Sequence, residues 1–596
     1  MRLALLTGFL FLLGACGNTE ERPGVLAETQ GPGPSTPVVD AGPPPSPDAG
    51  TVPDPGTPPP PSRWPALQTS IPTYELTLRP EDLRALHDHV ADRDYQVPGR
   101  LTVGGRAYEV KLRFRGRSTR FLDKKSWQVR LEEGRFEGRK RLELLAEWTD
   151  AGYLTEKLWY DVAAGLGLEV PAARYVHLEV NGVSEGVFTE LESVDKAFLE
   201  SHGFDDDGDI YRCGMNDCEM RRPPRPYVEP WPASESYMEQ WEKQTNEKQP
   251  WSRLRFFLED INRTPPHAFA DFVEQHLELE DYLTWMALDA FIANDMQGDS
   301  RSYLIYDRRT ARWTYVPWDL NNALSLYNRT NPVLQGVQAH HPLFSYTAYD
   351  PSVYALFASR RVKSADMKPT YSTLSTRILD DPALRARFAE RLRLLLELLT
   401  EEELGPRIDA MHALLAPFIL PGPDGTTRDR YVSVPHAEES ARQLRRFVRE
   451  RRQWLMDQLH TIESLGSGPL VIDRVGRDES GTFWVQLYNR GSTPVSLAGL
   501  YLSGFTRMPD QWALPALTVQ PGQVLTFRQD GTGARRLGAR IDPQRLEFSL
   551  YAVPARRDEH GQMKALDLWW LHPLAPGEAY GRQPRGAESF GRLPGP

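Results

Sequence analysis

The sequence predicts an α+β domain followed by an all-β sandwich. From Trp64 to about residue 460, apolar residues recur at helical spacing in some segments and alternate with polar residues in others, which indicates mixed helices and strands. After Gly466-Ser467-Gly468-Pro469 the pattern changes to short alternating runs separated by turn sequences, which is typical of a β-sandwich. Because 596 residues are too many for one hydrophobic core, two or more domains are expected.

Local patterns place the elements of the first domain in order. The predicted helices cover residues 80–90, 154–166 and 281–293, and a largely helical region covers 384–460. Predicted hairpins turn at Gly104-Gly105 and Asn181-Gly182, and further strands cover 125–131, 303–306 and 313–316. We place the boundary before the sandwich near residue 467.

The N-terminal segment predicts export and a lipid anchor. Arg2 precedes an apolar run, Leu3 to Ala15, that is too short to span a bilayer. Leu13-Gly14-Ala15-Cys16 resembles a lipobox, which implies a signal peptide over residues 1–16 and a lipid on Cys16; the alternative is a secretory peptide with an incidental cysteine. Residues 17–63 are proline-rich and contain no aromatic residue, so they form a disordered tether in this prediction.

Composition and the remaining cysteines are consistent with an exported, folded protein. The formal net charge of −11 argues against a nucleic-acid partner. Cys213 and Cys218 are close in sequence, which predicts a small disulfide loop; the alternative is two free thiols. A zinc site would need further ligands that the cysteines do not supply.

A row of positive charge marks the first segment that could carry chemistry. In Lys111-Leu-Arg-Phe-Arg-Gly-Arg-Ser118, strand alternation puts Lys111, Arg113 and Arg115 on one face. One interpretation is the solvated face of a half-exposed sheet. The other is a phosphate-binding surface, to which the nearby Lys124 and Lys125 would contribute.

Carboxylates in three later segments complete a possible phosphoryl-transfer site. Glu190 and Glu192 share a strand face, and either could pair with a lysine as in protein kinases or lie on the surface. Asp295 follows an apolar helix, and Asp319 follows a strand in Val316-Pro-Trp-Asp319. Phosphoryl transfer needs one carboxylate to orient the hydroxyl nucleophile and another to hold Mg²⁺.

These segments, in this order, resemble the CotH family of atypical kinases of bacterial spore coats and their relatives, over roughly residues 70–460. The resemblance rests on R-G-x-S followed by K-K-S-aromatic, on a hairpin around Val180-Asn181-Gly182 that ends in glutamate, and on the Asn294-Asp295 and Pro-Trp-Asp319 motifs. It implies a divergent, atypical protein-kinase-like fold over residues 64–466. It also implies ATP with Mg²⁺ or Mn²⁺ as cofactors, and transfer to Ser or Thr of proteins.

The resemblance also implies roles for single residues. The implied phosphate-binding residues are Lys124, Lys125 and Arg115, with Glu192 as the positioning carboxylate, Asp295 as the catalytic carboxylate, and Asp319 and Asn321 as metal ligands. The sequence departs from the family pattern in three places: Ser302 stands where many relatives have asparagine, Asn321 replaces a second acid, and Asp299 competes with Asp295 for the catalytic role.

The C-terminal region, residues 467–596, resembles a lamin-tail domain. The resemblance rests on Leu470–Val475, Trp484–Asn489, Val495–Leu502 and the ending that includes Ala579–Arg582. It implies an immunoglobulin-like sandwich that serves for attachment; the alternative is a passive structural cap.

Together these observations predict an extracytoplasmic, lipid-anchored kinase, on the periplasmic or outer-surface face of a membrane. Its expected partners are protein substrates of the envelope or coat and, through the lipid, the membrane, and we expect a monomer that binds no nucleic acid. The alternative is a non-catalytic, envelope-tethered binding or adhesion protein with a degenerate kinase fold.

Overall fold

The elements below follow chain order in a computed structural model. The described residues are 63–116, 118–147, 150, 152–213, 220, 241–293, 302–320, 339, 373–504, 511–541, 546–552, 564–571, 574–588 and 590–593. The helices are α1 Pro80–Asp88, α2 Thr155–Gly165, α3 Lys196–Ser201, α4 Ser252–Arg263, α5 Pro266–His276, α6 Leu279–Phe291, α7 Thr373–Asp380, α8 Pro382–Leu398, α9 Glu401–Ile419 and α10 Val434–Glu463.

The strands fall into several sheets. In chain order they are β1 Thr73–Thr77, β2 Val97–Val103, β3 Arg106–Arg115, β4 Ser126–Leu131, β5 Arg141–Leu145, β6 Ala173–Val180, β7 Val183–Leu191, β8 Asp209–Cys213, β9 Trp241–Lys243, β10 Ser302–Asp307, β11 Arg312–Pro317, β12 Leu470–Arg477, β13 Phe483–Asn489, β14 Val495–Ser496, β15 Leu500–Ser503, β16 Thr518–Val519, β17 Val524–Arg528, β18 Leu546–Ala552, β19 Lys564–Leu571, β20 Ala579–Arg582 and β21 Phe590–Leu593.

The first seven strands close into a barrel in the order β1-β2-β3-β4-β5-β7-β6. All neighbours are antiparallel except β1 and β6, which pair in parallel. On β3, Val110, Leu112 and Phe114 are buried inside the barrel, while Lys111 and the arginines between them face outward, as the alternation predicts. The β2–β3 turn is Gly104-Gly105, both at positive φ, which glycine adopts readily.

Helices and a second sheet pack outside the barrel. The second sheet has the order β11-β10-β8-β9. Side chains from α2, α4, α6 and α8 to α10 share one large core with the outward faces of β5 and β7. Within it, Trp159 of α2 meets Phe291 of α6 edge to face, with ring centroids 6.1 Å apart. This packing brings the end of β11 close to the barrel wall.

The C-terminal strands form a separate apolar core. A five-stranded sheet, β17-β13-β12-β20-β21, and a three-stranded sheet, β15-β18-β19, both contribute side chains to it. A buried ion pair links the two sheets, since Arg582 of β20 lies 3.0 Å from Asp567 of β19. The mixture of helices and sheets agrees with the predicted α+β class, and the predicted hairpins at residues 104–105 and 181–182 are confirmed.

The predicted signal peptide, its Cys16 and the tether up to residue 62 lie outside the described residues. Near the start of the described chain, Trp64 is buried and its indole N–H donates to Glu403 at 2.6 Å. None of the described helices is long and apolar enough to cross a membrane.

Candidate functional site

Asp319 lies directly after β11, where the sequence predicts a metal-binding carboxylate. Its backbone φ is 69°, in the left-handed region that non-glycine residues seldom adopt. Such strained conformations persist mainly at ligand and catalytic sites. The predicted partners Asp295 and Asn321, and the competitor Asp299, lie outside the described residues.

Two buried glutamates, which sequence reasoning missed, lie beside Asp319. Glu147 follows β5 and Glu156 lies in the first turn of α2, and they are 5% and 1% exposed. Burial raises the pKa of both carboxyl groups, and for Glu156 the neighbouring charges of Glu147 and Asp319 raise the pKa further. In the described part of the chain, no cationic side chain donates a hydrogen bond to either carboxylate. Among the described residues, Arg115 and Lys124 act on these carboxyl groups through their charge alone.

A hydrogen-bonded network crosses the outer face of β3, β4 and β5 next to this cluster. Arg113 Nε donates to Gln128 Oε1 at 2.7 Å, and Gln128 Nε2 donates to Glu143 Oε1 at 2.7 Å. The other oxygen of Glu143 lies 2.8 Å from Arg115 Nε. The pKa of Arg212 on β8 is raised mainly by Tyr303, and the charges of Glu143 and Asp319 raise it further. The network and the carboxylate cluster therefore border the same space.

Arg115 connects the network to the cluster. Its guanidinium lies 5.8 Å from the ring centroid of Trp318, the residue before Asp319. Its positive charge also lowers the pKa of Glu156 against the larger effect of burial. Of the predicted phosphate-binding residues, Arg115 is therefore the one that the structure brings to Asp319.

Lys124 lies in a closed buried cluster, where the charge of Glu147 also acts on it. Its Nζ donates to Tyr153 Oη at 2.5 Å, to the Val187 carbonyl at 2.5 Å and to Asp429 Oδ2 at 2.7 Å. Lys124 is 2% exposed and Asp429 is fully buried. Burial lowers the pKa of Lys124, and the Asp429 charge opposes that shift. All three ammonium donors are therefore used inside the protein, and phosphate contact by Lys124 would require this cluster to open.

Gly186 makes room for the same cluster. It has φ of 88°, and a Cβ at this position would lie 2.3 Å from Asp429 Cγ. Asp429 comes from the segment between α9 and α10, so the cluster joins that segment to the barrel.

Lys125 also serves the loop that carries it. Its Nζ donates to the carbonyls of Arg120 and Leu122, which lie in or just after the 3-10 turn Ser118–Phe121. Desolvation lowers the pKa of Lys125. The lysine holds this loop in shape, and the ring of Phe114 lies 5.9 Å from its Nζ.

Among the residues that the structure describes, no lysine pairs with Glu192. It accepts hydrogen bonds from the Ala172 amide at 3.1 Å and from Ser201 at 3.2 Å, and His202 Nε2 lies 3.1 Å away. Burial alone would raise the pKa of Glu192, but these hydrogen bonds lower it below the usual range. The expected lysine–glutamate pair is absent from these contacts because Lys124 is bound to Asp429 instead.

His202 itself lies between two carboxylates. Its Nδ1 is 2.6 Å from Glu169, and Phe198 stacks on its ring. Burial lowers the pKa of His202, but the hydrogen bonds with Glu169 and Glu192 outweigh burial and raise it to about 9. The imidazole is therefore protonated at neutral pH.

A polar cavity of about 510 Å³ lies where the β4–β5 turn, the start of β6, the end of β7 and α3 meet. Glu192 lines it, together with the fully buried Glu190. Glu190 is 2.8 Å from Arg174 and 2.6 Å from Arg139. The cavity lining is therefore polar, and the charge of Glu190 is paired with those of Arg139 and Arg174.

The sequence predicts metal ligation at Asp319. Among the residues that the structure describes, no group of three or more potential ligands is arranged to hold a metal ion. The carboxylates of Asp319, Glu147 and Glu156 are nevertheless the oxygen donors that Mg²⁺ and Mn²⁺ prefer. The donor chemistry around Asp319 therefore fits the predicted cation.

The predicted disulfide falls partly within the described chain. Cys213, at the end of β8, is disulfide-bonded. Its predicted partner, Cys218, lies outside the described residues.

Comparison with known proteins gives two findings. The sequence model of the family described as CotH kinase protein matches residues 112–455, a span that includes the network, the carboxylate cluster and Asp319. The chain is also 26% identical over 403 residues to the inner spore coat protein H of Bacillus subtilis (strain 168), and the similarity covers 66% of this chain and 98% of that protein.

Proposed function

Because the chain belongs to the CotH kinase protein family, we propose that it is an atypical protein kinase. In this proposal it transfers the γ-phosphate of ATP to Ser or Thr side chains of envelope or coat proteins. The observation that carries the proposal is the grouping of Asp319, two buried glutamates and Arg115 at one border of the barrel. Carboxylates for a metal and a cation for phosphate are the two requirements of phosphoryl transfer.

The proposal assigns a role to each member of this group. Asp319, with Asn321, would hold Mg²⁺ or Mn²⁺, and a bound cation would neutralise charge on the phosphates. Asp295 would accept the proton of the acceptor hydroxyl. Arg115 would bind a phosphate oxygen through its guanidinium, which suits phosphate geometry.

The proposed location is outside the cytoplasm. The lipobox-like segment that ends at Cys16 supports an exported protein with a lipid anchor, and the related Bacillus subtilis protein is named as a spore coat protein. The C-terminal strands, in the proposed role of a lamin-tail domain, would attach the kinase to its protein substrate or to the envelope.

A phosphotransfer assay tests the proposal. Purified full-length protein in detergent is incubated with γ-labelled ATP and Mg²⁺ or Mn²⁺, with and without a generic protein acceptor. Asp295→Ala and Asp319→Ala are run in parallel, and Asp424→Ala, an exposed aspartate of the α9–α10 segment, is the matched control. We expect label on protein with the wild type and Asp424→Ala, and no label with the other two. Equal labelling by all four proteins would exclude the assigned roles.

A second function, a non-catalytic binding protein on a lipid tether, is favoured by one observation. Both lysines of the K-K-S motif, Lys124 and Lys125, are occupied by contacts within the protein. In that case neither metal gives label, and ATP with Mg²⁺ does not raise the thermal midpoint, because a ligand that binds the native state must stabilise it.

A further inference from the structure

We infer that Glu143 is the positioning residue of the site, and that it holds Arg115 as the phosphate-binding cation. The inference rests on the proposed phosphotransferase function and deepens it. It replaces the expected lysine–glutamate pair by an arginine–glutamate pair that joins β3 to β5.

Contacts on several sides hold the Glu143 carboxylate in place. The residue is 6% exposed. One carboxylate oxygen accepts from Gln128 at 2.7 Å and lies 3.4 Å from Ser193 Oγ, and Gln128 is held in turn by Arg113. The other oxygen forms an ion pair with Arg115 Nε at 2.8 Å, without the alignment of a hydrogen bond. A carboxylate restrained in this way orients its arginine with little freedom to move.

Arg115 has N–H donors that its described contacts do not use. Its ion pair with Glu143 uses Nε, and its guanidinium lies over Trp318. Within the described part of the chain, neither terminal nitrogen of Arg115 has a hydrogen-bond or ion-pair partner. An arginine offers five N–H donors in a planar fork, so two nitrogens remain for an anion beside Asp319.

The two lysines, unlike Arg115, use their donors in contacts within the protein. Lys124 has three partners inside the protein, at 2.5 to 2.7 Å, and Lys125 donates to two carbonyls of its own loop. Both lysines would have to break existing contacts before they could bind phosphate. Arg115 would not, although the charges of both Arg115 and Lys124 act on the carboxylate cluster.

The test measures binding by calorimetry with the full-length protein and two probes, ATP and tripolyphosphate, each with Mg²⁺. Four proteins are compared with the wild type: Glu143→Gln, Arg115→Gln, the double variant, and Glu109→Gln. Glu109 is the matched control, because it forms an exposed ion pair with Arg100 on the neighbouring strands. Thermal midpoints of all proteins are recorded to detect loss of folding.

We expect Glu143→Gln to raise the dissociation constants of both probes about tenfold, which is the effect of losing one charge-assisted contact. Arg115→Gln should raise them at least as much, and the double variant should match Arg115→Gln, because Glu143 acts through Arg115. Glu109→Gln should bind as the wild type does. In the transfer assay, Glu143→Gln should raise the KM for ATP and leave kcat within about twofold.

Three outcomes overturn the inference: unchanged binding by a folded Glu143→Gln, a double variant whose losses are the full product of the single ones, or no binding of either probe to the wild type. The proposed function fails separately. Wild-type protein that binds both probes as expected but transfers no phosphate would leave the Arg115–Glu143 site in place and remove the kinase activity.

Discussion

The Lys124 cluster and the Glu147–Glu156 cluster are both buried and both ionisable, but in the described part of the chain only the first holds a hydrogen-bonded ion pair. Lys124 meets Asp429, Tyr153 and a carbonyl at hydrogen-bonding distances. Glu147 and Glu156 instead face each other and Asp319, and burial raises the pKa of both.

The difference indicates what each region does. A buried ion pair with all donors satisfied stabilises one arrangement of the chain, and breaking it is strongly unfavourable. Carboxylates left without a cation keep a pKa far from the ordinary value, which is typical of sites that bind a ligand. The Lys124 cluster therefore joins the α9–α10 segment to the barrel, and the carboxylate cluster is the part to which the proposed function assigns a cation.

The largest expected effect comes from removing the counter-charge of Lys124. Asp429→Ala should destabilise the protein by roughly 3–5 kcal/mol, because it leaves the Lys124 ammonium buried without a counter-charge. The measurement is the thermal midpoint by calorimetry or fluorescence.

Two further variants make this result specific. Asp424→Ala, in the same segment but exposed, loses only exposed hydrogen bonds with Thr426 and should lower the midpoint far less. The double variant Lys124→Met/Asp429→Leu should recover much of the loss, since apolar residues can replace a buried pair. A midpoint for Asp429→Ala equal to that of the wild type would contradict the assignment of this cluster as a structural joint.

The sequence predicted the elements well because periodicity reports which face of a strand or helix is buried. The alternation on β3, for example, places Val110, Leu112 and Phe114 inside the barrel and its cations outside. Turn residues such as Asn181-Gly182 set the hairpin between β6 and β7 for the same local reason.

The partners of charged side chains could not be predicted in this way. Lys124 and Asp429 are 305 residues apart in the chain, and no local pattern relates them. Glu156 lies within a helix whose buried residues surround it on all sides, so its position gives no amphipathic signal. The motif identified Arg115 and Asp319, but only the packing of β11 against the barrel shows that Arg115 lies over Trp318, the residue before Asp319.

A smaller effect of opposite sign is expected from the Glu147–Glu156 cluster. Glu156→Gln should raise the stability at pH 8 by roughly 1–3 kcal/mol, because it removes the need to keep a buried acid without a partner. The pKa of Glu156 in the folded protein is raised, so its favourable contribution is complete below its unfolded pKa and is lost as the pH rises above it. The measurement is the thermal midpoint between pH 4.5 and 8.

The wild type and Glu156→Gln should therefore coincide near pH 4.5 and diverge toward pH 8. Glu133→Gln, at an exposed position in the β4–β5 turn, is the control and should follow the wild type throughout. A Glu156→Gln protein that is less stable than the wild type at pH 8 would show that the ionised carboxylate has a partner, and the contrast between the two clusters would disappear.

The smallest effect is expected at His202, because its charge depends on pH. His202 balances Glu169 and Glu192 only when it is protonated, and its pKa is raised to about 9. Its stabilising contribution is therefore complete below the unfolded pKa and is lost as the pH rises through about 9. His202→Gln should lower stability by roughly 1 kcal/mol at pH 6, a value reduced by solvent screening at this partly exposed site, and should have less effect at pH 10. The measurement is the thermal midpoint from pH 6 to 10, with the exposed His267→Gln as the control. If His202→Gln shifts the midpoint equally at pH 6 and pH 10, packing of the ring on Phe198 is responsible for its effect. The charge of His202 would then contribute no stability.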